Sequence, residues 1–328
     1  MRPTAKKARN LSLFIVSAFV LSACSEKAPI RVEEFAVQGL YSAALSEDGS
    51  AAVVGSIEHG GSYWRTALND RRYNWNHAKG EYTSIISADI DPTGEFAATG
   101  SARTLVLWRT SDGHSVGFWD TPGNIQSLKL TDNGDFALVG LDDQTARYFD
   151  VKNGGIKQTF RTGAIVRVVD VSPDGRLALT GDDKYHVTLW NVRTGKKKFE
   201  WTLSNQIATV ALSDDGKYAF GSAQLGTAKV WSTQTGKVVT TVYTGSLKAR
   251  KRTISSAVFS RNDQQLLIGG VDRRVSLVEM PTGQVLKEWD LHLRDTLQPT
   301  GASVLALSFS NGSRYFAIGS NGFLNVLE

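Results

Sequence analysis

Residues 165–203 read IVRVVDVSPDGRLALTGDDKYHVTLWNVRTGKKKFEWTL. Four short runs of apolar or alternating character follow one another, at 165–171, 176–180, 187–192 and 196–203. Ser172-Pro173-Asp174-Gly175 separates the first two runs, and Thr194-Gly195 separates the last two. Short runs bounded by Gly, Pro, Asn and Asp are strands joined by tight turns. No segment shows sustained helical periodicity.

The same unit recurs on both sides. Its first turn returns as Ser46-Glu47-Asp48-Gly49, Asp91-Pro92-Thr93-Gly94, Thr131-Asp132-Asn133-Gly134 and Ser213-Asp214-Asp215-Gly216. Two looser copies are Ser260-Arg261-Asn262-Asp263 and Ser310-Asn311-Gly312-Ser313. The fourth turn positions fall at 49, 94, 134, 175, 216, 263 and 313, a period of 40 to 50 residues. Large residues keep fixed places within the unit. The third strand carries Trp64, Trp108, Phe149, Trp190, Trp231 and Val278, and the fourth carries Trp75, Trp119, Phe160, Trp201, Val242 and Trp289. The fourth-strand residue lies six positions beyond Asn69, Gly113, Gly154, Gly195, Gly236 and Gly283. An aromatic at a constant place fills the space between neighbouring sheets, so these residues are architecture. Four strands per period, seven times over, predict an all-β, seven-bladed β-propeller of four-stranded antiparallel blades.

The pattern resembles the WD-repeat family over nearly the whole chain. Leu189-Trp190-Asn191 and Val230-Trp231-Ser232 stand where that family has its Trp-Asp dipeptide. The family's Gly-His dipeptide is absent, and its aspartate appears as Asp143 and Asp272. The resemblance therefore implies an incomplete His–Asp–Ser–Trp network, with blades that rely more on apolar packing. The seventh unit stops at Glu328, one strand short, while Glu34-Phe35-Ala36-Val37 resembles Glu200-Trp201-Thr202-Leu203. Residues 30–37 are expected to supply the missing outer strand of the last blade and so close the ring, pairing an edge that would otherwise invite aggregation.

The N-terminus sets an expectation for the compartment. Arg2, Lys6, Lys7 and Arg9 precede an apolar run from Leu11 to Leu21 that ends in Leu21-Ser22-Ala23-Cys24. A basic region, a short apolar core and small residues make a secretory signal peptide, and the run is too short to span a bilayer. The tetrad resembles the lipobox of bacterial lipoproteins. That resemblance implies a signal peptide at 1–23, lipidation of Cys24, a tether at 24–29 and a propeller at 30–328. Ser25 after the lipidated cysteine implies the outer membrane, facing the periplasm. Cys24 is the only cysteine, so no internal disulfide forms and stability must come from the core. The chain carries 37 basic and 32 acidic residues, but four of the basic ones lie in residues 1–23, which leaves a mature charge of +1. The basic balance is not a nucleic-acid footprint.

Catalytic signatures are hard to find. The five histidines, His59, His77, His114, His186 and His292, fall in different units, and no metal spacing, phosphate loop or nucleophile elbow appears. Asp142-Asp143 and Asp182-Asp183 are read as hydrogen-bonded turn carboxylates, with cation binding as the alternative. No cofactor and no metal are expected. Lys196-Lys197-Lys198 opens an outer strand and reads as rim protection. Loop length is more informative. The longest outer-to-inner connections are 244–253, with Lys248, Arg250, Lys251 and Arg252, and 291–300, with His292, Arg294 and Asp295. Grouped insertions on one face of a repeat protein mark a binding face. These residues form a candidate basic patch for an envelope partner, an acidic protein surface or an anionic envelope polymer, and a solvated loop is the alternative. The expected function is a monomeric, membrane-anchored, non-enzymatic interaction scaffold. A second reading is an enzyme or small-ligand receptor that uses the central channel, since seven-bladed propellers include lactonases and quinoprotein dehydrogenases.

Overall fold

The computed structural model describes residues 27–242, 252–295, 301–310 and 312–328. Seven four-stranded antiparallel sheets stand around a central channel. Blades 1 to 6 occupy 40–75, 87–120, 125–161, 166–202, 207–242 and 254–290, each as four consecutive strands from the channel outward. Blade 7 combines Val304–Phe309, Tyr315–Gly319 and Phe323–Leu327 with an outer strand, Arg31–Glu34, from the start of the chain. The inner strand of blade 7 packs beside that of blade 1, which closes the ring.

The recurring turn has a physical cause. In blade 4 the Ser172 hydroxyl donates to Asp174 Oδ1 (2.7 Å) and accepts the amide of Leu177 (2.9 Å), while Asp174 Oδ1 accepts the amide of Arg176 (2.9 Å). Blades 1, 5 and 6 repeat this through Ser46 and Asp48, Ser213 and Asp215, and Ser260 and Asn262. Residue types that bond their own backbone hold the turn, and a fourth residue at positive φ finishes it. Gly49, Gly94, Gly134, Gly175 and Gly216 have φ between 57 and 76°.

Neighbouring blades are fastened by the aromatic ladder. The outer-strand Trp75 stacks on Trp108 of the next blade (5.2 Å) and Trp201 stacks on Trp231 (4.6 Å). Their indoles donate to the backbone of that next blade, Trp75 to Gly113 O (3.1 Å), Trp119 to Val151 O (3.1 Å), Trp201 to Gly236 O (2.8 Å) and Trp289 to Glu328 O (3.0 Å). Each such side chain is thus a wedge that is apolar on its faces and satisfied at its one polar atom.

The closing strand pairs as the sequence implies, but in a different register. Glu33 lies opposite Leu324 and Glu34 opposite Phe323, while the Phe35 amide donates to Gly322 O (2.8 Å). In blade 4, Trp201 lies opposite Val187 and the Leu203 amide donates to Tyr185 O (2.9 Å). Phe35 therefore occupies the place of Leu203, not that of Trp201. It still acts as the wedge, stacking on Trp64 of blade 1 at 4.6 Å. The segment before it is also held. The Lys27 amide donates to Glu288 O (3.3 Å) and Lys27 O accepts the Asp290 amide (3.2 Å), which lays residue 27 along the outer edge of blade 6.

Candidate functional site

The strand order gives the disc two unlike faces. The connections between blades and the turns between second and third strands lie on one face, here the top. The Ser-x-Asp-Gly turns and the turns between third and outer strands lie on the other, the turn face. Among the described residues, eight of the fourteen large apolar side chains exposed to solvent are on top: Val37, Tyr41, Ile57, Tyr82, Ile86, Tyr185, Leu225 and Val271. The first five belong to blade 1 and its flanking connections. Tyr82, 72 % exposed, meets the ring of His59 at 5.9 Å.

The loop that carries Tyr82 is anchored rather than loose. The His77 amide donates to Thr83 Oγ1 (2.8 Å), and the Thr83 amide donates to Asn76 Oδ1 (3.1 Å). The His77 ring lies between Thr104 Oγ1 (Nδ1, 2.6 Å) and Thr99 Oγ1 (Nε2, 2.9 Å), and Thr99 Oγ1 also accepts Trp108 Nε1 (2.7 Å). Blade 2 therefore contains a His–Thr–Trp relay, although Asn76 and not glycine precedes its histidine. Burial holds the His77 imidazole down at about 4, so it is neutral at physiological pH. Blade 4 keeps only the Trp190-to-Thr180 bond (3.0 Å), and in blade 1 Trp64 bonds Ser62 (2.9 Å).

Four of the seven residues singled out by loop length, Arg252, His292, Arg294 and Asp295, fall on described parts of the chain. Cys24, Lys248, Arg250 and Lys251 lie outside the described residues. Arg252 is directed inward against blade 6. Its Nη2 donates to Ser276 Oγ (2.7 Å) and its Nη1 lies 3.6 Å from Asp272 Oδ2. Arg294 fastens the ring closure, donating to Glu34 Oε1 (2.7 Å) and Ala36 O (3.0 Å) with its guanidinium over the Phe323 ring (4.7 Å). His292 stacks edge-on against the same ring (5.0 Å), and Asp295 is exposed beyond it. Arg252 and Arg294 thus act within the fold. The turn carboxylates do the same. Asp142 accepts the amide and side chain of Asn124, Asp143 accepts Thr145 and Arg147, Asp182 accepts the amides of Lys184 and His186, and Asp183 pairs with Arg167. Lys196, Lys197 and Lys198 are exposed on the rim, and Lys197 pairs with Glu200.

The channel has a volume of about 680 Å³, and its wall is uneven. At one level the seven inner strands present Ala44, Asp89, Lys129, Asp170, Ala211, Val258 and Ser308, so charge is confined to blades 2, 3 and 4. Lys129 Nζ pairs with Asp89 Oδ1 at 2.8 Å. Burial pushes the Asp170 carboxyl up to about 6, while Lys129 pulls it back. Both carboxylates reach across to the next blade, Asp89 Oδ2 accepting the Leu130 amide (2.8 Å) and Asp170 Oδ2 the Leu212 amide (2.6 Å). Ser87 and Ser127 accept the amides of Leu128 (3.0 Å) and Val169 (3.3 Å) in the same way. The charged side chains therefore belong to a series of cross-blade staples that satisfy buried amides.

Fold, turn chemistry and the Trp-centred blades together define a β-propeller and support the WD-repeat type. Over 66 residues the chain is 38 % identical to Eukaryotic translation initiation factor 3 subunit I of Eremothecium gossypii. That similarity covers 20 % of this chain and 19 % of that protein. No family model matches the chain.

Proposed function

We propose that this propeller is a lipid-anchored, non-enzymatic interaction platform of the bacterial envelope that docks a partner protein on its top face, over blades 1 and 2. The observation that carries the docking reading is the group of exposed apolar side chains there, Tyr41, Ile57, Tyr82 and Ile86 beside His59, of which Tyr82 and Ile86 lie on the loop pinned by His77. Exposed apolar side chains grouped on one face mark interaction sites. The commitment of Asp89 and Asp170 to backbone amides weighs against channel chemistry. The similarity to a subunit of a translation initiation factor also favours an assembly role over catalysis.

The anchoring part of the reading rests on Cys24 and its Leu-Ser-Ala context, and the outer-membrane destination on Ser25. With Lys27 hydrogen-bonded to blade 6, three residue steps separate the lipidated cysteine from the fold, a reach of about 10 Å. The disc is thereby held by its rim close to the bilayer. A photo-crosslinking residue at Tyr82 or Ile57 is expected to trap the partner in intact cells, and one at Lys196 on the rim is not. Adducts from Lys196 and none from Tyr82 would remove the top-face reading. Cys24→Ser is expected to abolish incorporation of a palmitate analogue and to release the protein from membranes. Undiminished labelling would remove the anchor.

A further inference from the structure

The turn of blade 6 departs from most of its counterparts at its fourth position. Asp263 stands where five other blades have glycine, and it takes the same left-handed backbone, φ 55°. Acids adopt this conformation less readily than glycine. The turn itself does not ask for a side chain, since beyond Gly94 in blade 2 a Cβ would meet nothing within 4 Å. The Asp263 side chain is also poorly placed for stability. The residue is 7 % exposed, its Oδ1 is buried without a hydrogen-bond partner, and the like-charged carboxylate of Asp215 from blade 5 lies beside it. Asp215 is in turn held by Lys217 Nζ at 2.7 Å. A locally unfavourable residue that the fold does not need marks a place shaped for something else.

Asp263 lines a cleft of about 520 Å³ between blades 5 and 6 on the turn face, with Lys217 of blade 5. Tyr218, Met280, Pro281 and Leu286 give it an apolar side, and Glu279 adds a second carboxylate. We propose that this cleft receives a lysine or arginine side chain from an exposed segment of a partner protein. The aliphatic stem lies on Met280, Pro281 and Leu286, and the cationic head lies between Asp263 and Glu279. A basic side chain has this division into apolar stem and charged head, and a cation next to Asp263 supplies the donors that its carboxyl lacks. The surface is distinct from the top face, so the two engagements can coexist.

The charged groups facing Asp263 are Asp214, Asp215 and Lys217 from blade 5, with Glu279 from the third strand of blade 6 lining the same cleft. Burial and the neighbouring Asp215 push the Asp263 carboxyl up to about 7, so the cleft gains negative charge between pH 6 and pH 8. The test is NMR titration of the full chain with acetyl-Gly-Arg-Gly-amide and acetyl-Gly-Lys-Gly-amide, against acetyl-Gly-Gln-Gly-amide. Shifts are expected at the amides of Asp263, Gln264 and Glu279 with the basic peptides only, with binding several-fold tighter at pH 8 than at pH 6. Asp263→Gly restores the residue of the other turns, so it is expected to fold with a raised melting temperature while weakening binding at least tenfold. Asp174→Asn, in the equivalent turn of blade 4, should leave binding unchanged. The proposal is overturned by absence of shifts at pH 8, by equal response to the glutamine peptide, by equal affinity at pH 6 and pH 8, or by wild-type affinity in Asp263→Gly.

Discussion

His77 shows how much one side chain can determine. Its imidazole lies between two threonine hydroxyls at the entry to blade 2, and its backbone holds the loop that presents Tyr82. Its pKa in the fold is about 4 against an ordinary 6.5, because burial disfavours the cation. The unfolded chain binds the proton more readily, so the contribution of His77 is complete above pH 6.5 and is lost as pH falls from 6.5 to 4. At about 1.4 kcal/mol per pKa unit the loss is on the order of 3 kcal/mol. Urea unfolding at a series of pH values is expected to show this decline in the wild type and a flatter profile in His77→Gln. Parallel profiles would show that His77 is not the titrating group. Asp263 acts in the opposite sense. Its raised carboxyl stabilises the neutral form, so its contribution is present below 3.8 and is lost as pH rises toward about 7. The top-face residues were not legible in the sequence. Tyr41, Ile57, His59 and Tyr82 come from an inner strand, a turn and a loop, and only ring geometry brings them together. The 76–86 connection is longer than those after blades 2 to 4, but the loops at 244–253 and 291–300 are longer still, so length alone does not single it out.

At the scale of the element, hairpins and borrowed strands differ in what fixes their register. The strands of blades 1 to 6 follow one another through short turns whose chemistry is written locally, in Ser172 with Asp174 or in Gly195, so blade count and strand order follow from the chain. The outer strand of blade 7 arrives without a turn. Its pairing with Phe323–Leu327 was readable from the missing strand, but its register was not, because matching Glu34-Phe35 to Glu200-Trp201 ignores where the phenyl ring can pack. Phe35 settles two residues further along, on Trp64, and Arg294 clamps that arrangement from the loop after blade 6. Arg294→Ala is therefore expected to loosen this element locally. Hydrogen exchange should rise at the amides of Phe35 and Ile30, which bond Gly322 O and Val326 O, with no change at the blade 4 pair Leu177 and Ser172. A uniform rise across all blades would indicate a general loss of stability instead. From the sequence Arg294 groups with the basic loop residues, because a charge in a long connection reads as a surface feature. Its partners Glu34, Ala36 and Asn321 are remote in sequence.

For the molecule as a whole, the blades are interdependent. Each sheet buries both faces against neighbours, so an opening at any joint uncovers two apolar surfaces, and the joint between the chain ends is the one without a covalent hairpin. That joint consists of the Arg31–Glu34 pairing, the Phe35 wedge, the Arg294 clamp and the Trp289-to-Glu328 bond. Phe35→Ala alone is expected to cost about 3–5 kcal/mol, as for other buried phenylalanines. That is a large share of the 5–15 kcal/mol by which domains are usually stable. Removing residues 27–38 also strips the partner from Phe323–Leu327, whose apolar, uncharged edge then faces water and is free to pair between molecules. The shortened chain is expected to melt well below the wild type and to form aggregates visible by light scattering. A synthetic peptide of residues 27–38 added in trans should restore both melting temperature and solubility, and the same peptide with Phe35→Ala should restore much less. The comparison separates closure from mere chain length. If the shortened chain melts at the wild-type temperature, the ring is held by its blade-to-blade faces alone. If both peptides rescue equally, backbone pairing closes it and the Phe35 wedge does not.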